Sequence, residues 1–523
     1  MVYVYTRREL EATTMSASFC NKEEERLQRQ HPHALLCPLP AQGHVNPFLN
    51  LAVLLTSKGI AVTFICAEHR ISPLRGDASL LANPLIRLLG LPERVTLGDI
   101  GIDQGFDGLI WGGEVADNMK DDFVEFVKLC HQNTAPDQNF GPPDCIIGDP
   151  FVYWTKTVAS DLGLPLYTFF TSPAWALTAM IHIPILTSQG LIPLRSSAQP
   201  QLMSLPGLPS LWDTDFLHYM LDVVPAGIRR MVSNCAMVQS QSSRILLNTT
   251  YEIEAGNIDA LEKEDPYKTN LKILTIGPLL SHELLDEDRA QLSVRSEYEI
   301  SAARDCLEWL NTRSPASVLY VSFGSMHNPS EDEIIELAHG LEASTRAFLW
   351  VLRPPPSDTS QDASSWLSRV LPQGFQSRTH DRGFILPRWA PQILILSNPS
   401  VGGFWTHCGW NSILESICCG VPLIAYPQFA EQRHNCRMIV DQLKIAREIV
   451  KDEMKGFPER KAVERAVRSV MEGEEAQEIR RKVEEVRDTM RRAVKENGSS
   501  DRNVELIVKE IFNSFHQRLG ATT

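Results

Sequence analysis

The stretch WAPQILILSNPSVGGFWTHCGWNSILESICCGVPLIAYPQFAEQ, residues 389–432, decides the fold. Its middle, VGGFWT at 401–406, is rich in β-branched and aromatic residues and predicts a strand. A tight turn at His407–Gly409 follows, then a helix over about 411–419, a Gly-Val-Pro stop and a second strand at 422–426. Strand, turn, helix, strand is the repeat of a parallel sheet. Asn411 and Ser412 at the helix start are good caps, above backbone N–H groups that have no partner within the helix and suit a phosphate. His407, at the same strand end, adds a hydrogen bond; Trp389 offers a flat face for a base, and Glu415 a carboxylate for paired ribose hydroxyls. Ser412 with Glu415 also has capping-box spacing, so Glu415 either caps its helix or binds a ligand. Glu431, near another helix start, either serves the dipole or does the same.

Similar units extend in both directions. Strands are expected at 33–39, 60–66, 144–148, 165–170 and 244–248, and again at 317–323, 347–352, 383–387, 401–406 and 422–426. Between the two sets lies 280–304, charged and polar without a clear period, which reads as a linker. The expectation is an α/β protein of two doubly wound, Rossmann-like domains facing across a cleft, with ligands beyond the carboxyl ends of the strands. Its parts are an extension (1–30), a first domain (31–279), the linker (280–304), a second domain (305–495) and a C-terminal segment (496–523). That last segment carries a helix at about 502–515, expected to pack back on the first domain.

The totals narrow the function. With 50 basic and 64 acidic residues the net charge is −14, which disfavours a nucleic-acid partner. The 11 cysteines include no Cys-x-x-Cys pair, consistent with a reduced, cytoplasmic protein. The uncharged run 162–194 is interrupted by Pro165, Pro173, Pro184 and Pro193, so it reads as a strand, a turn and a buried helix, not a membrane span. The Gly-x-Gly-x-x-Gly turn of a dinucleotide-dependent oxidoreductase follows neither first strand.

His44 comes just after the first strand, and Asn46-Pro47 have the pattern of a helix start, which would set the imidazole at the carboxyl end of that strand. Asp149 ends the strand CIIGD in the same domain. A histidine is the side chain whose ordinary pKa suits base catalysis near neutrality, and a carboxylate on one nitrogen leaves the other free. Asp149 also has the position of a helix cap before 151–161.

Residues 389–432 resemble the 44-residue signature of plant-type family 1 UDP-glycosyltransferases, without a gap. PLPAQGHVNPFLNLA at 38–52, SVLYVSFGS at 317–325 and NGSSDRN at 497–503 resemble further family segments. The resemblance implies the GT-B fold. It also implies that Trp389 stacks on uracil, that the backbone of Ala390 bonds its edge, and that Gln392 and Glu415 hold the ribose. Ser325, His407, Asn411 and Ser412 would hold the diphosphate, while Trp410, Glu431 and Gln432 bond the sugar and Thr171 touches it from the first domain. His44 would be the base and Asp149 its partner. Trp410 and Gln432 are what the family shows when the donor is UDP-glucose. Cys418-Cys419 and Tyr426 differ from its commonest pattern.

The implied reaction is inverting transfer of glucose to a hydroxyl of a small lipophilic acceptor. No metal is expected, since no Asp-x-Asp motif is read in the chain to hold one on the diphosphate. A monomer is expected. Another UDP-sugar, or a non-catalytic UDP-sugar-binding protein, remains the alternative. Phe169, Phe170, Trp175 and Trp212 either wall an acceptor site or belong to the core.

Overall fold

The computed structural model describes residues 31–93, 114–131, 140–192, 202–212, 215, 220, 226–240, 244–280, 297–324, 327–355, 363–387, 390–452 and 454–521. The extension 1–30, the greater part of the linker (281–296), Ser325 and Trp389 lie outside them.

The first domain is built on seven parallel strands: β1 His33–Cys37, β2 Ala61–Ala67, β3 Ile86–Leu91, β4 Cys145–Gly148, β5 Leu166–Phe170, β6 Arg244–Leu247 and β7 Lys272–Thr275. Their spatial order is β3-β2-β1-β4-β5-β6-β7. The second domain carries β8 Val318–Ser322, β9 Ala347–Val351, β10 Gly383–Leu386, β11 Val401–Thr406, β12 Leu423–Ala425 and β13 Ala446–Glu448, in the order β10-β9-β8-β11-β12-β13. In both sheets the order reverses beside the first strand. Leu35 of β1 pairs with Thr63 on one side and Ile146 on the other, and Tyr320 of β8 with Leu349 and Phe404. Crevices for ligands form at such switch points, outside the carboxyl ends of the strands.

The strands are buried on both faces. Leu35 packs in a layer with Ile65, Phe123 and Trp154, while the next residue, Leu36, joins Phe48, Phe64 and Ile147 on the opposite side. This alternation is the period-two geometry of a strand. The uncharged run near residue 180 forms β5 and the helix α2, Ala174–Ser188, with eleven buried residues spread round its circumference. A helix apolar on all sides belongs in a core. Among the described residues no helix is long and apolar enough to cross a membrane, and the ten described cysteines are all unpaired.

Three boundaries differ from expectation. The helix α1 after β1 spans Gln42–Ser57, so His44 lies in its first turn and Pro47 inside it. The helix α3, Glu297–Asn311, occupies the last part of the expected linker. The final helix α6 runs Ser499–Ala521, longer at both ends than expected. Val504, Ile507, Val508 and Ile511 of α6 enter the core of the first domain. Ser500 donates to Gly277 O at 2.6 Å, and Arg518 reaches Asp144. Strands β3 (six residues), β7 and β13, each at a sheet edge, were not expected from the sequence.

Candidate active site

The first constellation arises where β1 and β4 end. Pro47 has no N–H, so the carbonyl of Gly43 one turn earlier receives no bond from it. That carbonyl instead accepts the side-chain N–H of Asn411, from the other domain, at 3.0 Å. One residue on, His44 Nδ1 lies 2.6 Å from Asp149 Oδ2, with the carboxylate fully buried and the imidazole partly open. The other oxygen, Asp149 Oδ1, accepts the backbone N–H of Phe151 at 3.0 Å. Asp149 therefore orients His44 with one oxygen and closes a tight turn with the other. The expected helix cap is corrected, because the next helix starts only at Thr155, with Trp154 as its N-cap and no side-chain cap. The edge of the Phe151 ring packs on the imidazole, with centroids 5.6 Å apart, and Thr171 Oγ1 is 3.5 Å from Nδ1. Burial disfavours the imidazolium, but the charge of Asp149, its hydrogen bond and the charge of Glu431 outweigh that and raise the His44 pKa above its ordinary value. Since Asp149 holds Nδ1, Nε2 is the nitrogen left to take a proton.

The second constellation stands at the switch point of the other sheet. The helix α4, Trp410–Cys418, begins directly after β11, and its N-cap is Gly409 with no side-chain cap. The expectation that Asn411 and Ser412 cap it is corrected: Asn411 bonds Gly43, and Ser412 Oγ accepts from Gln392 Nε2 at 2.9 Å. Without a side-chain cap, the N–H groups of the first turn keep their anion-binding character.

His407 is wedged between two glycines. A Cβ on Gly324 would lie 2.6 Å from its Cε1 and Nε2, and one on Gly409 2.4 Å from Nε2. Gly324 also has φ +75°, where other side chains are strained. His407 Nδ1 is buried without a hydrogen-bond partner among the described residues. Burial, then the positive potentials of His327 and Arg353, push its pKa down to about 4, so the ring is neutral near pH 7. Gln392 bridges Tyr320, whose hydroxyl donates to Oε1 at 3.2 Å, and Glu415, whose Oε2 accepts from Nε2 at 2.6 Å. Glu415 is therefore no helix cap. Burial raises its pKa to about 7, although the Gln392 bond opposes this.

The expected sugar-binding residues divide. Trp410 is 3% exposed and its indole N–H donates to Asn248 O of the first domain at 2.7 Å, so that donor is already engaged and its backbone N–H, in the first turn of α4, is the group placed to meet a ligand. Glu431 sits at the N-cap position of the helix α5, Gln432–Arg437, without a side-chain cap bond, and accepts from Ser172 Oγ at 3.4 Å. Gln432 Oε1 accepts the N–H groups of Gln428 and Phe429 at 2.9 and 3.1 Å, which orients its amide nitrogen as the outward donor. Ala390 is buried at 9% exposure, immediately before Pro391 and Gln392. Trp175 and Phe169 are core residues, while Trp212 is 50% exposed in a short hairpin. Two Asp-x-Asp spacings do occur, Asp213-Thr214-Asp215 and Asp286-Glu287-Asp288, both remote in sequence from α4. Of these, Asp215 pairs with Arg433 at 3.9 Å.

The contacts across the domain boundary were invisible to sequence reading. Gln442 donates to Ile253 O at 2.9 Å, and Trp175, Ile253 and Leu280 share one apolar cluster with Trp410 and Phe404.

Residues 296–483 match the family model for UDP-glucoronosyl and UDP-glucosyl transferases. The chain is 32% identical over 514 residues to UDP-glycosyltransferase 86A1 of Arabidopsis thaliana, covering 95% of this chain and 97% of that one. It is 33% identical to the 7-deoxyloganetin glucosyltransferase of Gardenia jasminoides, covering 92% and 98%. Among solved structures, that of Phytolacca americana UGT2 complexed with UDP-2fluoro-glucose and pterostilbene superposes with TM-score 0.74 at 30% identity, covering 92% of this chain and 99% of the other. Two parallel-sheet domains of the GT-B type, ligand-sized polar constellations at both switch points and this similarity along nearly the whole chain agree: the protein belongs to the family of UDP-glycosyltransferases.

Proposed function

We propose that the protein transfers glucose from UDP-glucose to a hydroxyl of a small lipophilic acceptor, with inversion and without a metal, giving a β-glucoside. The observation that carries this is the buried Asp149 on His44 Nδ1, beside a backbone bridge to the uncapped end of α4. His44 Nε2 takes the acceptor proton while the oxygen attacks the anomeric carbon from the face opposite the diphosphate. Asp149 keeps the tautomer and stabilises the imidazolium that forms, as in other His–Asp pairs. The bond to the diphosphate breaks, and UDP leaves with its new charge facing the N–H groups of α4 and His407.

Because the helix end and its neighbours supply positive potential where the charge develops, no metal is required there. The backbone of Trp410 with Glu431 and Gln432 holds the sugar, and Thr171 closes it from the first domain. Gln392 and Glu415 take the ribose, Asn411, Ser412 and Ser325 the diphosphate, and Trp389 with Ala390 the uracil. Relatives named for 7-deoxyloganetin and solved with pterostilbene support a small-molecule acceptor. The unpaired cysteines fit a reducing, cytoplasmic location.

The test is UDP release from UDP-glucose with a pooled panel of phenolic, flavonoid, terpenoid and alcohol acceptors, before and after exhaustive chelation, with the product's anomeric configuration read by NMR. Acceptor-dependent release, insensitive to chelation and yielding a β-linkage, is expected. Release only from another UDP-sugar would change the donor, and activity restored only by a divalent ion would remove metal independence. Tight UDP-glucose binding without release to any acceptor would favour a binding protein.

A further inference from the structure

We propose that Arg353 binds the donor, its guanidinium meeting the diphosphate. The residue follows β9, the strand next to β8, at the carboxyl edge of the sheet. Its Nη2 donates to the carbonyl of Gly324, in the turn after β8. Gly324 is the glycine that packs directly on the His407 ring. Arg353 thus joins the loop that shapes the phosphate end of the site.

It reaches toward the other end too. Its positive potential is felt both by His407 and by Tyr320, whose hydroxyl bonds Gln392. Its charge therefore acts on a residue at the phosphates and on one that bonds the ribose pair.

The electrostatics point to an anion. Arg353 is partly buried, yet among the described residues it forms no ion pair, and its one hydrogen bond is to a neutral carbonyl. Several arginines of this domain have carboxylates, Arg346 with Glu472, Arg378 with Glu342 and Arg437 with Glu448, whereas among the described residues Arg353, like Arg480, bonds only a carbonyl. A desolvated cation without a counter-charge is unfavourable. A guanidinium carries five donors in a planar fork suited to phosphate oxygens, of which the Gly324 carbonyl occupies few. The unpartnered Nδ1 of His407 beside it is a second polar group awaiting a ligand. A dianionic diphosphate satisfies both.

This inference rests on the donor assignment above. Its test is calorimetric binding of UDP and of uridine, which lacks phosphate, to wild type, Arg353→Gln and Arg353→Lys. Glutamine still donates to Gly324 but carries no charge. Arg353→Gln should lose roughly 10–100-fold in UDP affinity, the size of a charge-assisted contact, while uridine changes by less than about twofold. Arg353→Lys should fall between, because an ammonium keeps the charge but not the fork. Equal losses for UDP and uridine would mean that Arg353 only shapes the Gly324 loop, and an unchanged UDP affinity would mean that it touches no phosphate; either overturns the inference. If Arg353→Gln shows no cooperative melting transition, Arg353→Lys decides alone: a UDP-to-uridine ratio lowered by roughly 2–10-fold supports the inference and an unchanged ratio overturns it. Wild type that binds no UDP would refute the donor assignment itself, a distinguishable outcome.

Discussion

His44 and His407 occupy matching places, each just beyond the carboxyl end of a strand at its sheet's switch point, yet their proton affinities are displaced in opposite directions. Both are desolvated. His44 has a buried carboxylate at 2.6 Å and a second acidic group, Glu431, in its field. His407 has glycines against its ring on two sides and the positive potentials of His327 and Arg353 nearby. Burial alone would neutralise both rings; the sign of the neighbouring charge decides which one can exchange a proton near pH 7. The proposed mechanism needs one histidine that changes state during a turnover and one that keeps its state, and the opposite shifts match those two demands.

The sharpest way to break this contrast is His44→Ala. Loss of a positioned base should lower kcat roughly 10²–10⁴-fold, while UDP affinity, measured by calorimetry, stays within about twofold because the site at α4 is intact. An equal loss in binding would show that His44 belongs to the donor site. Next is Asp149→Asn. The base works when neutral, so a raised pKa sets the acid limb of the wild-type pH–rate profile above pH 6.5, with activity increasing as pH rises through it. Removing the carboxylate leaves burial, which lowers the pKa. The limb should therefore move to lower pH while the plateau falls roughly 10²-fold or more through lost orientation. A limb that stays in place would deny the pair its role. The smallest effect is expected from His407→Asn: about a tenfold loss in UDP-glucose affinity. Because His407 titrates at about 4, that factor should be constant between pH 6 and 8. A factor that grows as pH falls would mean that this ring becomes cationic after all.

The contrast also marks what could be read from the chain and what could not. The βα rhythm, the two-domain division and the placement of His44, Asp149 and His407 at strand ends follow from local signals: a β-rich run, a breaker, a helix start. The signals that failed were local too, but had long-range causes. Asn411 and Ser412 look like caps, yet Asn411 finds a carbonyl 368 residues away and Ser412 the Gln392 amide. Trp410 belongs to a segment that reads as ligand-binding, but its indole meets Asn248 O, 162 residues away. Pro47 with Asn46 before it fits a first helical position, whereas Ala41 is the N-cap and the first turn forms ahead of the proline. Such outcomes depend on which polar group is nearest in three dimensions, and a pattern of neighbours does not contain that.

The proline in α1 has a consequence for how the family's sequences can drift. One bridge between the two halves of the enzyme, from Asn411 to the Gly43 carbonyl, uses an oxygen that Pro47 leaves without its helical N–H. A change of Pro47 to almost any other amino acid would improve α1 as a helix and, by supplying that hydrogen, compete for the same oxygen. Asn411 would then share that oxygen with a second donor, one on each lone pair, and hold it less firmly. A more stable helix and a firmer contact between the two halves therefore make opposite demands on residue 47.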